Sequence, residues 1–275
     1  MKAVIGIDVG GSTTKIVGFD EKKNLIEPMF VQGSDQITSI YGAFGKFITE
    51  NGLALSDVSG IKVTGVGATF LEKGIYSLKC DKVSEFKSIG RGGLYLSGLD
   101  RALVASLGTG SACVYADRDG NIEYLGGTGV GGGTLMGLSR LLLGMENINH
   151  IYKLAEDGDL GKIDLRIKNI TKKDDFSTLE PELTVANFGK ISDIAEKSDI
   201  ALGILNMVFE TVGTTAIFAA RTKNVKDIVL TGNLTTIPQA REIFANVGRM
   251  LGANFIIPKY SQYGTVIGAA LHDLK

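Results

Sequence analysis

The stretch that most constrains this chain lies at its start, where residues 4–15 read VIGIDVGGSTTK. Val4, Ile5 and Ile7 favour a buried strand that runs into Asp8, and the chain then turns through Gly10 and Gly11 into Ser12, Thr13, Thr14 and Lys15. Glycines lack a Cβ, so backbone N–H groups in such a turn can close on an anion. The hydroxyls add donors and Lys15 adds positive charge. Asp8 is suited to holding a hydrated Mg²⁺ rather than to touching phosphate itself. A plain hairpin with a polar tip would use the same residue types. The acid, the glycine pair and the lysine directly after a buried strand favour phosphate binding.

A second stretch repeats the pattern. Leu103 to Leu107 reads as a strand, Gly108-Thr109-Gly110-Ser111 as a glycine–hydroxyl turn, and Ala112 to Ala116 as the returning strand. Two such units about a hundred residues apart predict a duplicated fold with a phosphate loop in each half. Further strands are expected at Lys15–Asp20, Leu25–Gln32, Ile61–Val66, Asn121–Leu125, Asp227–Leu230 and Asn254–Ile257. Apolar spacing predicts helices over 37–51, 84–99 with Ser84 as cap, 134–143, 199–222, 239–251 and 265–274, and charged helix over 149–175. Strands and helices without a clean βαβ rhythm indicate an α/β protein with antiparallel hairpins in each half.

Composition narrows the classes. With 275 residues, the chain has room for two lobes, expected at 1–99 and 100–275. The 29 basic and 30 acidic residues nearly balance, which gives no sign of a nucleic-acid surface. Cys80 and Cys113 make no disulfide framework and no signal-peptide pattern is evident, so a reduced cytoplasmic home is expected. The apolar stretch 200–220 is interrupted by Asn206, Glu210 and threonines, so it reads as a buried or interface helix and not as a membrane span.

Other motifs carry less. Residues 127–132 satisfy GxGxxG, yet no acid follows on a second strand as a dinucleotide fold requires. A glycine turn at a helix start, presenting N–H groups to phosphate or ribose, is the better use of this segment. His150 and His272 lack zinc spacing, and neither a Walker A loop nor a GxSxG elbow is present. Phosphoryl transfer to a hydroxyl calls for a carboxylate near the acceptor, and Glu85 in the first turn of a helix is the candidate, with Glu72 and Asp100 as competitors.

Together these residues resemble the ATP-binding core of the acetate and sugar kinase, heat-shock-70 and actin superfamily. DVGGSTTK is similar to its first phosphate motif, SLGTGS to its second and VLTGNL to its adenosine motif. ASLGTGSACVY, GGTGVGGGTLMGLSRLL, LAEDGD, VANFG, VLTGNL and QYGTVIGAAL further resemble the type II pantothenate kinases over nearly the whole chain. The resemblance implies a two-lobed actin-like α/β fold with duplicated mixed sheets and a nucleotide cleft between the lobes. It implies an enzyme that uses ATP and Mg²⁺ to phosphorylate pantothenate, the first step toward coenzyme A, acting as a homodimer without nucleic-acid or membrane partners.

Residue by residue, the resemblance assigns ATP phosphates and Mg²⁺ to Asp8, Val9, Gly10, Gly11, Ser12, Thr13, Thr14 and Lys15, and catalysis to Glu85. Thr109 would meet both ATP and acceptor. Gly132, Gly133, Thr134, Leu135 and Met136 would line the nucleotide, Ile148 the adenine, and Asn233 the adenosine loop. Tyr263 falls near the acceptor pocket, and Ala186 would come from across a dimer interface, where the helix over 200–222 is also expected. One departure stands out. The family carries arginine two residues before the glycine pair Gly126-Gly127, and here that position is Tyr124. Tyrosine supplies no fixed positive charge. Either Lys15 or Arg91 substitutes for it, or the acceptor is another small hydroxy acid or sugar, or turnover is weak. An ATPase or nucleotide-dependent switch without an acceptor is the reading from a different class.

Overall fold

The computed structural model describes residues 2–273 except 11, 12, 34, 72 and 172–179. Its first half runs β1 (Ala3–Val9), β2 (Thr13–Asp20), β3 (Leu25–Gln32), α1 (Gln36–Glu50), β4 (Val58–Thr64), β5 (Cys80–Lys82) and α2 (Glu85–Ser97). The second half begins β6 (Arg101–Leu107), β7 (Ser111–Asp117), β8 (Ile122–Thr128), α3 (Gly132–Leu143), α4 (Ile148–Leu154), β9 (Leu165–Arg166) and α5 (Ile167–Ile170). It ends β10 (Thr184–Ala186), α6 (Lys197–Thr222), β11 (Asp227–Thr231), α7 (Pro238–Leu251), β12 (Asn254–Ile256) and α8 (Gly264–Ala270).

The duplication expected from the two glycine turns is present in the sheets. One sheet has the order β3-β2-β1-β4-β5 and the other, read from its far edge, β8-β7-β6-β11-β12. In each, the first three strands form an antiparallel meander, and the two later strands join parallel to the first. The loops between β1 and β2 and between β6 and β7 therefore occupy equivalent corners. This is the expected α/β architecture of two duplicated mixed sheets.

Each sheet buries an outer face under amphipathic helices. Asp35 accepts a hydrogen bond from the Thr38 N–H and starts α1, which lays Ile40, Ala43, Phe44 and Phe47 on Ile5, Ile7 and Ile61. The second sheet is covered by α6 and α7, with Phe209 and Phe244 at its centre. Helix α6 is long and apolar enough to cross a membrane, but its apolar window is 61% buried against neighbouring elements. Its hydropathy is thus the hydropathy of a core helix.

Between the sheets, two helices exchange places. Helix α2 follows the first sheet in sequence but packs on the second, where Ile89 joins Ala102, Val104 and Val114. The last helix, α8, packs back on the first sheet, with Val266, Ile267 and Ala270 against Val17 and Phe19. The two cross with their backbones in contact. A Cβ on Gly92 would overlap the Gly264 carbonyl, and one on Gly268 would overlap the Ser88 carbonyl.

Four local expectations change. Residues 149–171 do not form one charged helix, and 172–175 lie outside the described residues: α4 stops at Leu154, and Gly158 turns the chain against Ser198 and Leu202 at the start of α6. The strand β8 runs through Gly126 and Gly127 to Thr128, so the first part of the glycine run is sheet, and the helix begins at Gly132. The terminal helix ends at Ala270. Ser84 occupies the cap position of α2 but makes no side-chain capping bond; instead the Ser88 hydroxyl donates to its carbonyl.

Candidate active site

At the first corner, β1 delivers Asp8 opposite Lys15 on β2 and Thr64 on β4. The turn closes with the Gly10 N–H donating to the Thr13 carbonyl at 3.0 Å, while Gly11 and Ser12 lie outside the described residues. Thr13 keeps partial exposure, and Val9, Thr14 and Lys15 are buried. Asp8 retains a solvent-facing edge, yet desolvation pushes its carboxyl above the usual range, opposed by the Lys15 charge. Lys15 is pushed below its usual range by the same burial, opposed by Asp8. Room for the carboxylate comes from Gly65, at φ +85°, where a Cβ would stand 2.5 Å from Asp8 Oδ1. The neighbouring Thr64 Oγ1 is buried and has no hydrogen-bond partner among the described residues.

Glu85 opens α2 with an exposed side chain. Its carboxyl is raised by partial desolvation first and by the negative charge of Asp8 second. Beside it, Phe86 stacks on Tyr124 of β8, with centroids 4.1 Å apart and planes inclined by 17°.

At the second corner, the Gly108 N–H donates to the Gly110 carbonyl, and the start of α3 folds onto this loop. Gly132 N–H donates to the Gly108 carbonyl at 2.9 Å and Gly133 N–H to the Thr109 carbonyl at 2.8 Å. The expectation of free N–H groups at Gly132 and Gly133 is therefore corrected: they brace the Thr109 loop, leaving its exposed side chain at the corner. A Cβ on Gly131 would lie 2.7 Å from the Thr109 carbonyl, so only glycine permits this contact. The Thr134 hydroxyl donates to the Gly129 carbonyl. From β11, Gly232 at φ +95° lies on the Leu107 backbone and leaves Asn233 exposed beside the loop.

Other candidates are placed differently. Leu135 is fully buried in the second core and offers its side chain to no ligand; Met136 and Ile148 are partly buried against that core. Tyr263 sits one residue beyond Gln262, whose carbonyl accepts from Lys15, but its ring is buried with Val17, Phe19 and Val266. Ala186 lies on the separate β9–β10 pair, under Gly189, and is not brought to either glycine corner within one chain. Asp100 pairs with Arg118 at the end of β6 opposite Thr109, which removes it as a competitor of Glu85; Glu72 lies outside the described residues. Both substitute cations are held by other partners than Tyr124. Lys15 is tied to Gln262 and Arg91 to His272 Nδ1 at 2.8 Å. The cavity of about 380 Å³ between α6, α7 and β9–β10 is lined by none of these residues.

Sequence reasoning did not find Thr64, Gly65, Phe86 or Gln262. Gly65 carries a signal in hindsight, a glycine directly after a buried strand. Gln262 acts through its backbone and has none.

The Fumble family model matches residues 101–243. The chain belongs to this family, that of the type II pantothenate kinases. A type II pantothenate kinase of Bacillus thuringiensis subsp. konkukian (strain 97-27) is 29% identical over 99% of this chain and 98% of its own. Another from Bacillus cereus (strain AH820) is 30% identical over 85% and 83%. A member of this family is a phosphotransferase. Among solved structures, the activator of the 2-hydroxyisocaproyl-CoA dehydratase from Clostridium difficile, with bound ADPNP, superposes with a TM-score of 0.70 at 17% identity, covering 98% of this chain and 93% of its own. At that identity the likeness is one of fold.

Proposed function

We propose that this kinase transfers the γ-phosphoryl group of ATP to the primary hydroxyl of pantothenate, giving 4'-phosphopantothenate at the first step toward coenzyme A. The observation that carries the reading is the pair of glycine corners at equivalent ends of duplicated sheets, with Asp8 on the first sheet and Glu85 opening the helix packed on the second. Thr13 and the Thr109 loop hold the phosphates, and Asn233 marks the adenosine side.

The residues at the first corner fit a hydrated Mg²⁺. Gly65 leaves open the space a Cβ would fill against Asp8 Oδ1, and Thr64 Oγ1 beside it lacks a partner among the described residues. Mg²⁺ usually takes one or two carboxylates and keeps its waters, so Asp8 would hold it through water. Bound there, the ion supplies charge neutralisation across the phosphates.

Glu85 accepts the proton of the acceptor hydroxyl. The hydroxyl oxygen bonds to the γ-phosphorus, the bond from that phosphorus to the β-phosphate oxygen breaks, and ADP leaves. Positioning by the two corners contributes more than the base. The working form is a cytoplasmic homodimer with α6 and Ala186 near its interface.

One observation favours a second reading, a kinase for another small alcohol. Tyr124 provides no cation, and Lys15 and Arg91 are engaged elsewhere. Incubation with Mg-ATP and a panel of hydroxy acids, sugars and pantothenate, following ADP and the phosphorylated product, separates the two. Running Tyr124→Arg in parallel asks whether a restored cation raises turnover of pantothenate alone. ADP release without an acceptor, unchanged in Glu85→Gln, would instead identify an ATPase.

A further inference from the structure

The first turn of α2 carries Glu85 and, next to it, one half of an aromatic stack whose other half comes from β8. The placement is fixed by register on both elements. Phe86 and Gly90 are four residues apart on one helix face, and Ile122 and Tyr124 two apart on one strand face. A Cβ on Gly90 would lie 3.0 Å from Ile122 Cγ2, so Gly90 rests on Ile122 and Phe86 rests on Tyr124. Beyond Tyr124 the strand bulges at Leu125, opposite the step from Cys113 to Val114 on β7, passes Gly126 at φ +128°, and leads to the glycine turn packed on Thr109. The stack thus stands between the proposed base and the strand that enters the second corner.

Both rings stay open to solvent, Phe86 at 40% and Tyr124 at 47% exposure. A stacked pair held rigidly by two elements presents a flat apolar surface with one hydroxyl at its edge. Such a surface holds methyl and methylene groups and has no charge with which to select a carboxylate.

We infer that Phe86 and Tyr124 form the acceptor wall of the site and select the acceptor by its branched, uncharged body rather than by its carboxylate. The inference rests on the pantothenate reading. In pantothenate the carbon bearing the reacting hydroxyl is attached to a quaternary carbon with two methyl groups, while the carboxylate is at the far end of the molecule. With the hydroxyl at Glu85, the methyl groups fall on the neighbouring wall. A methyl-sized contact in an apolar pocket commonly changes kcat/KM by about 10-fold or more.

The test compares pantothenate, its analogue lacking both methyl groups, and its primary amide as acceptors, with kcat and KM measured for acceptor and for ATP. The wild type is expected to use pantothenate and the amide within about threefold of one another and the desmethyl analogue about 10–100-fold less well. Tyr124→Ala is expected to raise the pantothenate KM about 10-fold, leave the ATP KM unchanged and erase the methyl preference, while Tyr124→Phe keeps both. Phe86→Ala provides a second variant, and the wild-type comparison of analogues needs no variant to fold. A methyl preference that survives in a folded Tyr124→Ala, or an amide used more than tenfold worse than pantothenate, overturns the wall. A wild type that phosphorylates other alcohols but not pantothenate overturns the acceptor reading itself, and this inference with it.

Discussion

Lys15 Nζ donates a 2.6 Å hydrogen bond to the backbone carbonyl of Gln262, joining the first glycine corner to the segment that leads into the last helix. The same ammonium opposes the rise of the Asp8 carboxyl. Lys15→Met is expected to leave that carbonyl unpaired and Asp8 without its counter-charge. Stability should fall by about 1–3 kcal/mol, measured by thermal or denaturant unfolding. The ATP KM should rise in steady-state kinetics, because the first glycine corner loses the tie that fixes it and Asp8 loses its counter-charge.

Glu85 should impose an acid limb on the pH profile. Desolvation and the nearby Asp8 hold its carboxyl above the ordinary glutamate value of 4.5. A base works only when ionised, so kcat/KM should decline as pH falls toward that raised value, earlier than for a solvated glutamate. Glu85→Gln should lower kcat by about 10²–10⁴-fold, abolish the limb and leave the ATP KM nearly unchanged. A limb that persists in the variant would assign the proton to another group.

The crossing of α2 and α8 should tolerate no side chain at its centre. Gly268→Ala sets a methyl group against the Ser88 carbonyl, backbone on backbone, so neither partner can rotate away. A loss of at least about 3 kcal/mol is expected, the upper end of ordinary overpacking, with a drop in Tm in calorimetry. Gly42→Ala is the contrast. Nothing lies within 4 Å of a Cβ there, and the helix should gain about 0.5–1 kcal/mol.

Asp199 anchors the start of α6. Its burial favours the neutral form, but the N–H groups of Glu196 and Asp159 and the Lys162 ammonium outweigh burial and hold the carboxyl below its usual range. A depressed carboxylate stabilises the fold above its unfolded pKa, and that contribution disappears as pH falls through the folded value. Asp199→Ala should cost about 1–3 kcal/mol at neutral pH. The gap to wild type should narrow in acid, as read by urea unfolding across pH.

What the sequence made legible was local. Asp8 with its glycine turn, the Thr109 turn and the amphipathic pattern of Ile40, Phe44 and Phe47 are each written within a dozen residues, and the structure has the expected elements there. The duplication followed from the likeness of two short stretches. Contacts between distant residues left no such trace. Gly92 and Gly264 meet across most of the chain, and neither stands in a motif that announces a partner. Phe86 gave no sign that its ring would cover Tyr124, because strand register decides that. The segment after Leu154 carried enough charge to suggest a solvent-exposed helix, but Gly158 docks on α6, and that tertiary contact prevailed.

The swap of α2 and α8 has a consequence for how the chain is made. During synthesis the first sheet emerges from the ribosome early, yet Val17 and Phe19 take much of their cover from Val266, Ile267 and Ala270. The half that is translated first must therefore wait for the last to be finished. A nascent chain stalled before residue 264 would carry an unsealed apolar face, open to chaperones and proteases alike.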